Sequence, residues 1–215
     1  MATDAALRLI NNLKLRLPGS TSDMIIYELY NVLNDWFQDT NMWIEDIEFP
    51  VFPNTSPDPD VPDNLEYQLA TNETASIFRL MGVVDNKMLQ IGATMPIPGT
   101  ILLSSSPTGG VNFTARLALT VSDPVQSGNI PECPDWIIQK YTNEFIDGVL
   151  GRMMMIPAKP YSNSQLAVFH TKSFKSGIAF ARQEFNRQNT FNVQDRKSTR
   201  LNSSHTDISR MPSSA

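Results

Sequence analysis

Histidine and cysteine are the side chains that most often serve as bases and nucleophiles near neutral pH, and this sequence contains two histidines and one cysteine. His170 lies in a helical pattern, and none of the residues three or four positions away is a carboxylate that would orient it as a general base. Cys133 lies just before Pro134 with no recognisable basic partner. We therefore predict no catalytic residue, and we interpret His170 as a packed or interface residue.

Carboxylates cluster at Asp58, Asp60 and Asp63, with the alternating spacing of some cation-binding loops. The cluster lacks the glycine and the closing glutamate of a calcium-binding hand, and its prolines are typical of a solvated loop. Phosphate-cradling, dinucleotide-binding, zinc-protease and serine-hydrolase motifs are also absent from the sequence. We expect no metal, no cofactor and no enzymatic activity.

The net charge of −5 is unevenly distributed along the 215 residues. Residues 1–147 contain 7 Lys/Arg and 19 Asp/Glu, a net charge of −12, whereas residues 148–194 contain 6 Lys/Arg and a single Glu, a net charge of +5. The segment is interpreted either as a basic helix surface that balances an acidic remainder, or as one half of a complementary contact between subunits. Nucleic-acid binding is disfavoured because no aromatic residues interleave with the basic ones as in a base-stacking platform.

Composition points to a globular chain without membrane segments. Apolar residues make up 41% of the chain, and no apolar run approaches the ~20 residues that span a bilayer. The amino terminus lacks the pattern of a secretory signal, and one cysteine excludes an internal disulfide. We expect a cytosolic origin.

Residues 195–215 differ in composition from the rest of the chain, being rich in Ser, Arg and Thr with few large apolar residues. Such a segment buries too little surface to offset its ordering entropy. It contains KSTRLNSSH, which resembles translated sequencing-adapter read-through. We expect a non-native disordered tail that replaces the native carboxyl terminus, and we give His205 no functional weight.

The amino-terminal part predicts a helix over residues 20–40, with apolar residues at helical spacing from Ile25 to Trp36. Ser20 and Ser22 are the candidate caps. The preceding residues 7–17 predict either a short helix or an extended arm. Weak alternation over residues 43–49 predicts a strand.

Five prolines in residues 50–64 predict a crossing loop or linker, and residues 65–122 predict a β insertion. Short apolar runs predict strands at 65–70, 77–84, 88–93 and 101–103. The clearest strand covers 111–121, where strict alternation predicts one buried face and one solvated face.

Two further helices are predicted over residues 134–156 and 163–189, with Pro134 at the first helical position and a proline-rich bend between them. Ser162 and Gln165 have the spacing of a capping box. A row at helical spacing, mostly at every fourth position, consists of Leu166, His170, Phe174, Ile178, Ala181 and Phe185. The predicted class is α+β: an antiparallel bundle of one amino-terminal and two carboxyl-terminal helices, with an antiparallel β insertion, in a single domain of residues 1–194.

Residues 130–187 resemble the last two helices of the tailed-bacteriophage head-to-tail connector (neck adaptor) family. The resemblance rests on a proline-led helix ending in Gly-x-x-x-Arg, a bend, and a long helix rich in Ala, Phe and Arg. The matching positions are Gly148, Arg152, Pro157, Lys159, Pro160, Tyr161, Ser162 and Asn163. Residues 15–49 match the family's amphipathic helix and Trp-containing strand, and the β region matches in layout more than in letters.

The resemblance implies a structural virion protein that forms a ring of about a dozen copies at the head–tail junction. Its partners would be other copies of itself, the portal protein, tail proteins and, non-specifically, the viral DNA in the channel. Its location would be the virion neck, after assembly in the bacterial cytoplasm. Family members continue into a carboxyl-terminal docking arm, which is in doubt here because of the adapter-like tail.

The residues that we expect at a subunit interface or facing the channel lie in the two last helices and the bend between them. They are Arg152, Met153, Met154, Met155, His170, Lys172, Lys175, Arg182 and Arg187. The three consecutive methionines face different sides of a helix, so at least one is expected to contact something other than the core. Alternatives are a tail-tube or baseplate-side virion protein, and a small enzyme or ligand-binding domain without a recognisable motif.

Overall fold

The computed structural model describes residues 4–51, 65–71, 75–104, 111–122 and 130–189. The predicted tail at 195–215 and the acidic cluster at 58–63 lie outside the described residues. The helices are α1 (Asp4–Arg16), α2 (Ser22–Thr40), α3 (Asp135–Lys140), α4 (Thr142–Met153) and α5 (Ser164–Asn189). The strands are β1 (Ile44–Val51), β2 (Glu66–Gln68), β3 (Ala75–Val84), β4 (Gln90–Ile91), β5 (Ala93–Ile97), β6 (Thr100–Leu103) and β7 (Val111–Val121). The α+β class is therefore confirmed.

The amino-terminal region folds as two helices, which confirms the short-helix alternative for residues 7–17 and adds a second amino-terminal helix to the predicted bundle. The alternative of an extended arm is wrong, because α1 buries Leu9, Ile10 and Leu13 along one face and packs on α2. The helices are separated by a turn at Gly19, whose φ of +83° is a backbone conformation that favours glycine. Neither predicted cap is used: the amide of Met24 donates to the hydroxyl of Thr21 at 3.3 Å.

Two antiparallel sheets form the β region, with strand orders β1-β7-β3-β4 and β2-β6-β5. The first sheet includes β1, which precedes the predicted insertion and pairs with β7 from Ile44 opposite Ala118 to Val51 opposite Val111. The predicted insertion at 65–122 is therefore not separate from the amino-terminal part of the chain. Strand β1, which precedes the proline-rich segment, shares a sheet with β3, β4 and β7, which follow it.

Strand β7 confirms the alternating burial at Phe113, Ala115 and Leu117, but its second face is not solvated throughout. Ala118 and Thr120 are buried as well, because α2 packs against this end of the strand. The hydroxyl of Thr120 donates to the side-chain oxygen of Asn34 in α2 at 2.5 Å. Helix α2 thus contacts the first sheet as well as α4 and α5.

The helix predicted at 134–156 is interrupted at Tyr141 and ends at Met153, so it forms α3 and α4. Tyr141 is buried against Trp36 of α2, with ring centroids 4.8 Å apart. The indole of Trp36 also packs on Phe145 at 5.0 Å and on Phe174 at 6.1 Å. One aromatic cluster therefore joins α2, α4 and α5.

The predicted capping box of Ser162 and Gln165 is wrong. The amide of Leu166 donates to the side-chain oxygen of Asn163 at 3.0 Å, so Asn163 caps α5. The hydroxyl of Ser162 instead donates to the carbonyl of Ile156 and closes the bend between α4 and α5. The apolar row also differs from the prediction at its start, where Ala167 is buried and Leu166 is exposed. A spacing of four residues drifts by about 40° per step around a helix, which moves Leu166 off the buried face.

Close approach between α4 and α5 depends on glycine. A Cβ atom added to Gly151 would lie 2.7 Å from the hydroxyl oxygen and 3.0 Å from the backbone nitrogen of Thr171. A Cβ atom added to Gly148 would lie 2.7 Å from Val32 in α2 and 3.0 Å from the ring of Phe174 in α5. These two positions let α4 lie in contact with both helices.

We predict that Gly151→Ala lowers the free energy of unfolding by about 1–2 kcal/mol, because overpacking costs about 1–3 kcal/mol and outweighs the gain in helix propensity of up to about 1 kcal/mol. Chemical denaturation of the purified chain measures the change. Gly82→Ala is the control, because a Cβ atom there has no neighbour within 4 Å. Equal midpoints for the Gly151 variant and the wild type would contradict the close approach.

Candidate functional site

The exposed surface of α5 is the strongest candidate for a functional site. This 26-residue helix would be about 39 Å long. It buries Ala167, Phe174, Ile178 and Ala181 against the rest of the chain. The remaining side chains form two flanks of different chemistry.

The first flank is an aromatic groove between α4 and α5. Phe169 and Phe180 stand at its two ends, each with 64% of its surface exposed. Its floor is formed by small residues of α5, Ser173, Ser176 and Gly177. Along its α4 wall and outer rim lie Asn143, Glu144, Asp147 and Lys172. The groove therefore combines two accessible rings with two carboxylates and one lysine.

The second flank is basic, and we define it by Lys175 and Arg182. Both are exposed, and both line a shallow depression against Asp39 at the end of α2. Neither forms an ion pair of 4 Å or less with the described residues. Arg187, also predicted as an interface or channel residue, is exposed and lines the same depression.

His170 has a carboxylate partner that the local sequence did not reveal. Its Nδ1 lies 2.8 Å from Oδ1 of Asp147 in α4, and the hydroxyl of Ser173 donates to Oδ2 of the same carboxylate at 2.5 Å. Our inference that no carboxylate orients His170 is therefore wrong. The serine hydroxyl is bonded to the aspartate, whereas a nucleophilic triad needs it bonded to the histidine. The group thus holds α4 against α5.

Arg152 forms contacts within the chain. Its guanidinium lies 2.6 Å from the carboxylate of Asp35 and 3.7 Å from that of Glu28, both in α2. This cation connects α4 to α2.

The three methionines face different surroundings, as the helical geometry predicts. Met153 is fully buried, Met154 is partly buried against the core, and Met155 has 58% of its surface exposed at the start of the bend. Met155 is thus the methionine of this triplet that is available for a contact outside the core.

Cys133 is buried, and burial raises the pKa of its thiol to about 12, with a further contribution from the negative charge of Asp135. The thiol therefore stays protonated at neutral pH, where a nucleophile would need to be a thiolate. In the first sheet, Arg116 binds the carboxylate of Asp46 through two hydrogen bonds of 2.8 Å. Within the described ranges, no group of three or more His, Cys, Asp or Glu could hold a metal ion.

Outside α5, the β3–β4 hairpin carries two adjacent exposed apolar side chains. Met88 is 81% exposed with a φ of 61°, and Leu89 beside it is 60% exposed. The side chain of Asp85 fixes this turn by accepting from the amides of Lys87 and Leu89, both at 2.8 Å. The hairpin therefore presents an ordered apolar tip.

Comparison with known proteins gives no assignment: no protein-family model matches the sequence, and neither does any curated protein. Among the described helices, none is both long enough and apolar enough to cross a membrane. A functional proposal therefore depends on the surfaces described above and on the sequence resemblance.

We predict that Asp147→Ala lowers the free energy of unfolding by about 1–3 kcal/mol, because half-buried His170 and Ser173 lose their shared acceptor. Thermal and chemical denaturation measure the loss. Asn143→Ala, an exposed position on the same helix, should change stability by less than about 0.5 kcal/mol. Similar losses in both variants would argue against the Asp147 contacts as a structural link.

We further predict that the Cys133 thiol reacts with a maleimide or iodoacetamide only when the chain unfolds. Since this is the single cysteine of the sequence, mass spectrometry of the whole protein reports the extent of labelling directly. The native protein should remain unlabelled at pH 7.5 for hours, and denaturant should make labelling rapid. Fast labelling of the native protein would contradict the burial and the raised pKa.

Proposed function

We propose that this chain is a structural subunit of a tailed-bacteriophage neck, which assembles as a ring that joins the portal to the tail and continues the DNA channel. It acts by assembly and not as an enzyme. In this proposal, the helices are taken as the family's antiparallel bundle and the two sheets as its β insertion. The resemblance of residues 130–187 to the connector family suggests this function.

The observation that carries the proposal is the long α5 with its exposed rings of Phe169 and Phe180. A helix of this length that is buried along a single stripe leaves a large surface for a neighbouring molecule. Aromatic side chains are enriched in protein interfaces, where their large apolar area dominates the energetics. An assembly subunit requires such a surface.

A connector also requires contacts along the ring axis, to the portal on one side and the tail on the other. The apolar tip at Met88 and Leu89 supports this part of the proposal, because it lies on the β region and not on α5. Subunits would thus associate laterally through helices and axially through the hairpin. The exposed Met155 adds a further apolar contact near the bend.

We predict that the purified chain, and the same chain shortened after residue 194, form rings of about a dozen copies alone or on addition of a portal protein. Negative-stain electron microscopy and light scattering measure the particle shape and mass. Tubes or fibres would instead favour a tail-tube or baseplate-side protein. A monodisperse monomer that never binds a portal would contradict the proposal.

A further inference from the structure

We infer that α5 supplies both halves of the contact between neighbouring copies, with the basic flank of one copy seated in the aromatic groove of the next. The inference rests on the proposed function and specifies it, since it names the partner of this surface as a second copy of the same chain. It assigns Lys175 and Arg182 to the subunit interface and not to the DNA channel.

The chemistry of the groove suits long cationic side chains. The exposed rings of Phe169 and Phe180 provide apolar surface for aliphatic stems and π faces for the charged heads. Glu144 and Asp147 line the α4 wall with negative charge. Because Gly177 has no Cβ atom, the side chain of Glu144 packs directly over it, which places this carboxylate at the floor of the groove.

The dimensions of the two flanks agree. Phe169 and Phe180 are eleven residues apart, which is about 16 Å along the helix axis, and Lys175 and Arg182 are seven residues apart, which is about 10 Å. In a head-to-tail ring, the α5 helices of adjacent copies point the same way along the ring axis. At equal height on adjacent copies, Lys175 therefore lies between the two rings, and Arg182 lies two residues, about 3 Å, beyond Phe180, which is within reach of its long side chain.

The direction of the two flanks favours a ring over a symmetric dimer. At 100° per residue, the basic pair and the aromatic pair are separated by about 120–160° around α5. A ring of about a dozen copies needs two contact surfaces about 150° apart on each subunit, because successive copies are rotated by about 30°. A two-fold dimer would instead place the same flank against itself, and two basic flanks repel.

Mutation of Lys172 tests whether the position of a basic residue on α5 matters or only the total positive charge of the helix. It lies on the rim of the groove that accepts the cations, so it opposes the contact instead of forming it. Lys172→Glu should therefore preserve or strengthen association. Lys175→Glu combined with Arg182→Glu should weaken association by at least about tenfold in Kd, although all three positions are exposed cations on the same helix.

The decisive experiment uses two full-length variants that are each defective on one flank. The first carries Lys175→Glu and Arg182→Glu, and the second carries Phe169→Ser and Phe180→Ser. Circular dichroism and denaturation midpoints equal to those of the wild type establish that both fold. Sedimentation velocity should show that each variant alone is monomeric at concentrations where the wild type assembles. A mixture should form a 1:1 heterodimer and nothing larger, because it retains a single intact contact.

A mixture that stays monomeric while the wild type forms rings would overturn the inference and leave the proposed function standing. Loss of DNA retention with normal rings in the basic-flank variant would also overturn it, since the cations would then face the channel. A mixture that yields the heterodimer, with a wild type that forms open filaments instead of rings, would support the inference and overturn the proposed function. Lys14→Glu combined with Arg16→Glu, two exposed positions of α1, is the control for an equal change of charge away from α5.

Discussion

The packing of Trp36 is the constraint on which the arrangement of the chain depends. This indole is fully buried in α2, and it contacts rings from the α3–α4 junction, from α4 and from α5. On the same helix, Asn34 accepts from Thr120 of β7. Because a buried aromatic side chain removes about 150–250 Å² from water, Trp36 makes a large apolar contact that holds α4 and α5 to α2, and α2 in turn packs on β7. The position of α5 relative to the sheet follows from this contact.

Small residues at the helix crossing determine which part of α5 remains exposed. Gly148 and Gly151 let α4 approach so closely that Ala167 and Ala181 suffice to fill the contact on α5. Phe174 and Ile178 are the larger apolar residues that α5 contributes to the core, whereas Phe169 and Phe180 point away from it. Close helix packing thus leaves two exposed rings on α5, and these are the residues on which the proposed contact between copies depends.

The sequence predicted those elements whose signal is local and periodic. The long helices, strand β7 and the α+β class were predictable because apolar spacing reports the side of an element that faces the core. The break at Tyr141 and the cap at Asn163 were not predictable with that method, since neighbouring residues offered equally good local chemistry. The pairing of β1 with β7 spans the proline-rich segment, and no local pattern encodes it.

The link between Asp147 and His170 is intermediate between the contacts that a local pattern predicts and those that no local pattern encodes. We predicted two antiparallel helices joined at a bend, and such a pair brings together residues that are equidistant in sequence from its centre. Asp147 and Ser173 are equidistant from Pro160, and Ser173 binds Asp147 in the structure. The contact of Asp147 with the last helix could therefore have been predicted from the pairing of the two helices. It cannot be predicted from the residues of α5 alone.

The position of each basic residue in the last helices says more about its role than the net charge of the segment does. A uniform basic surface would suggest contact with the phosphates of DNA, which depends on the number of cations and little on their arrangement. The structure divides these cations: Arg152 binds carboxylates of α2, Lys172 lies on the rim of the aromatic groove, and Lys175 with Arg182 forms a separate flank. Charge reversal at these positions should therefore have different effects on assembly. Such position-dependent effects are expected for a contact of defined geometry between subunits, and less for a diffuse attraction to DNA.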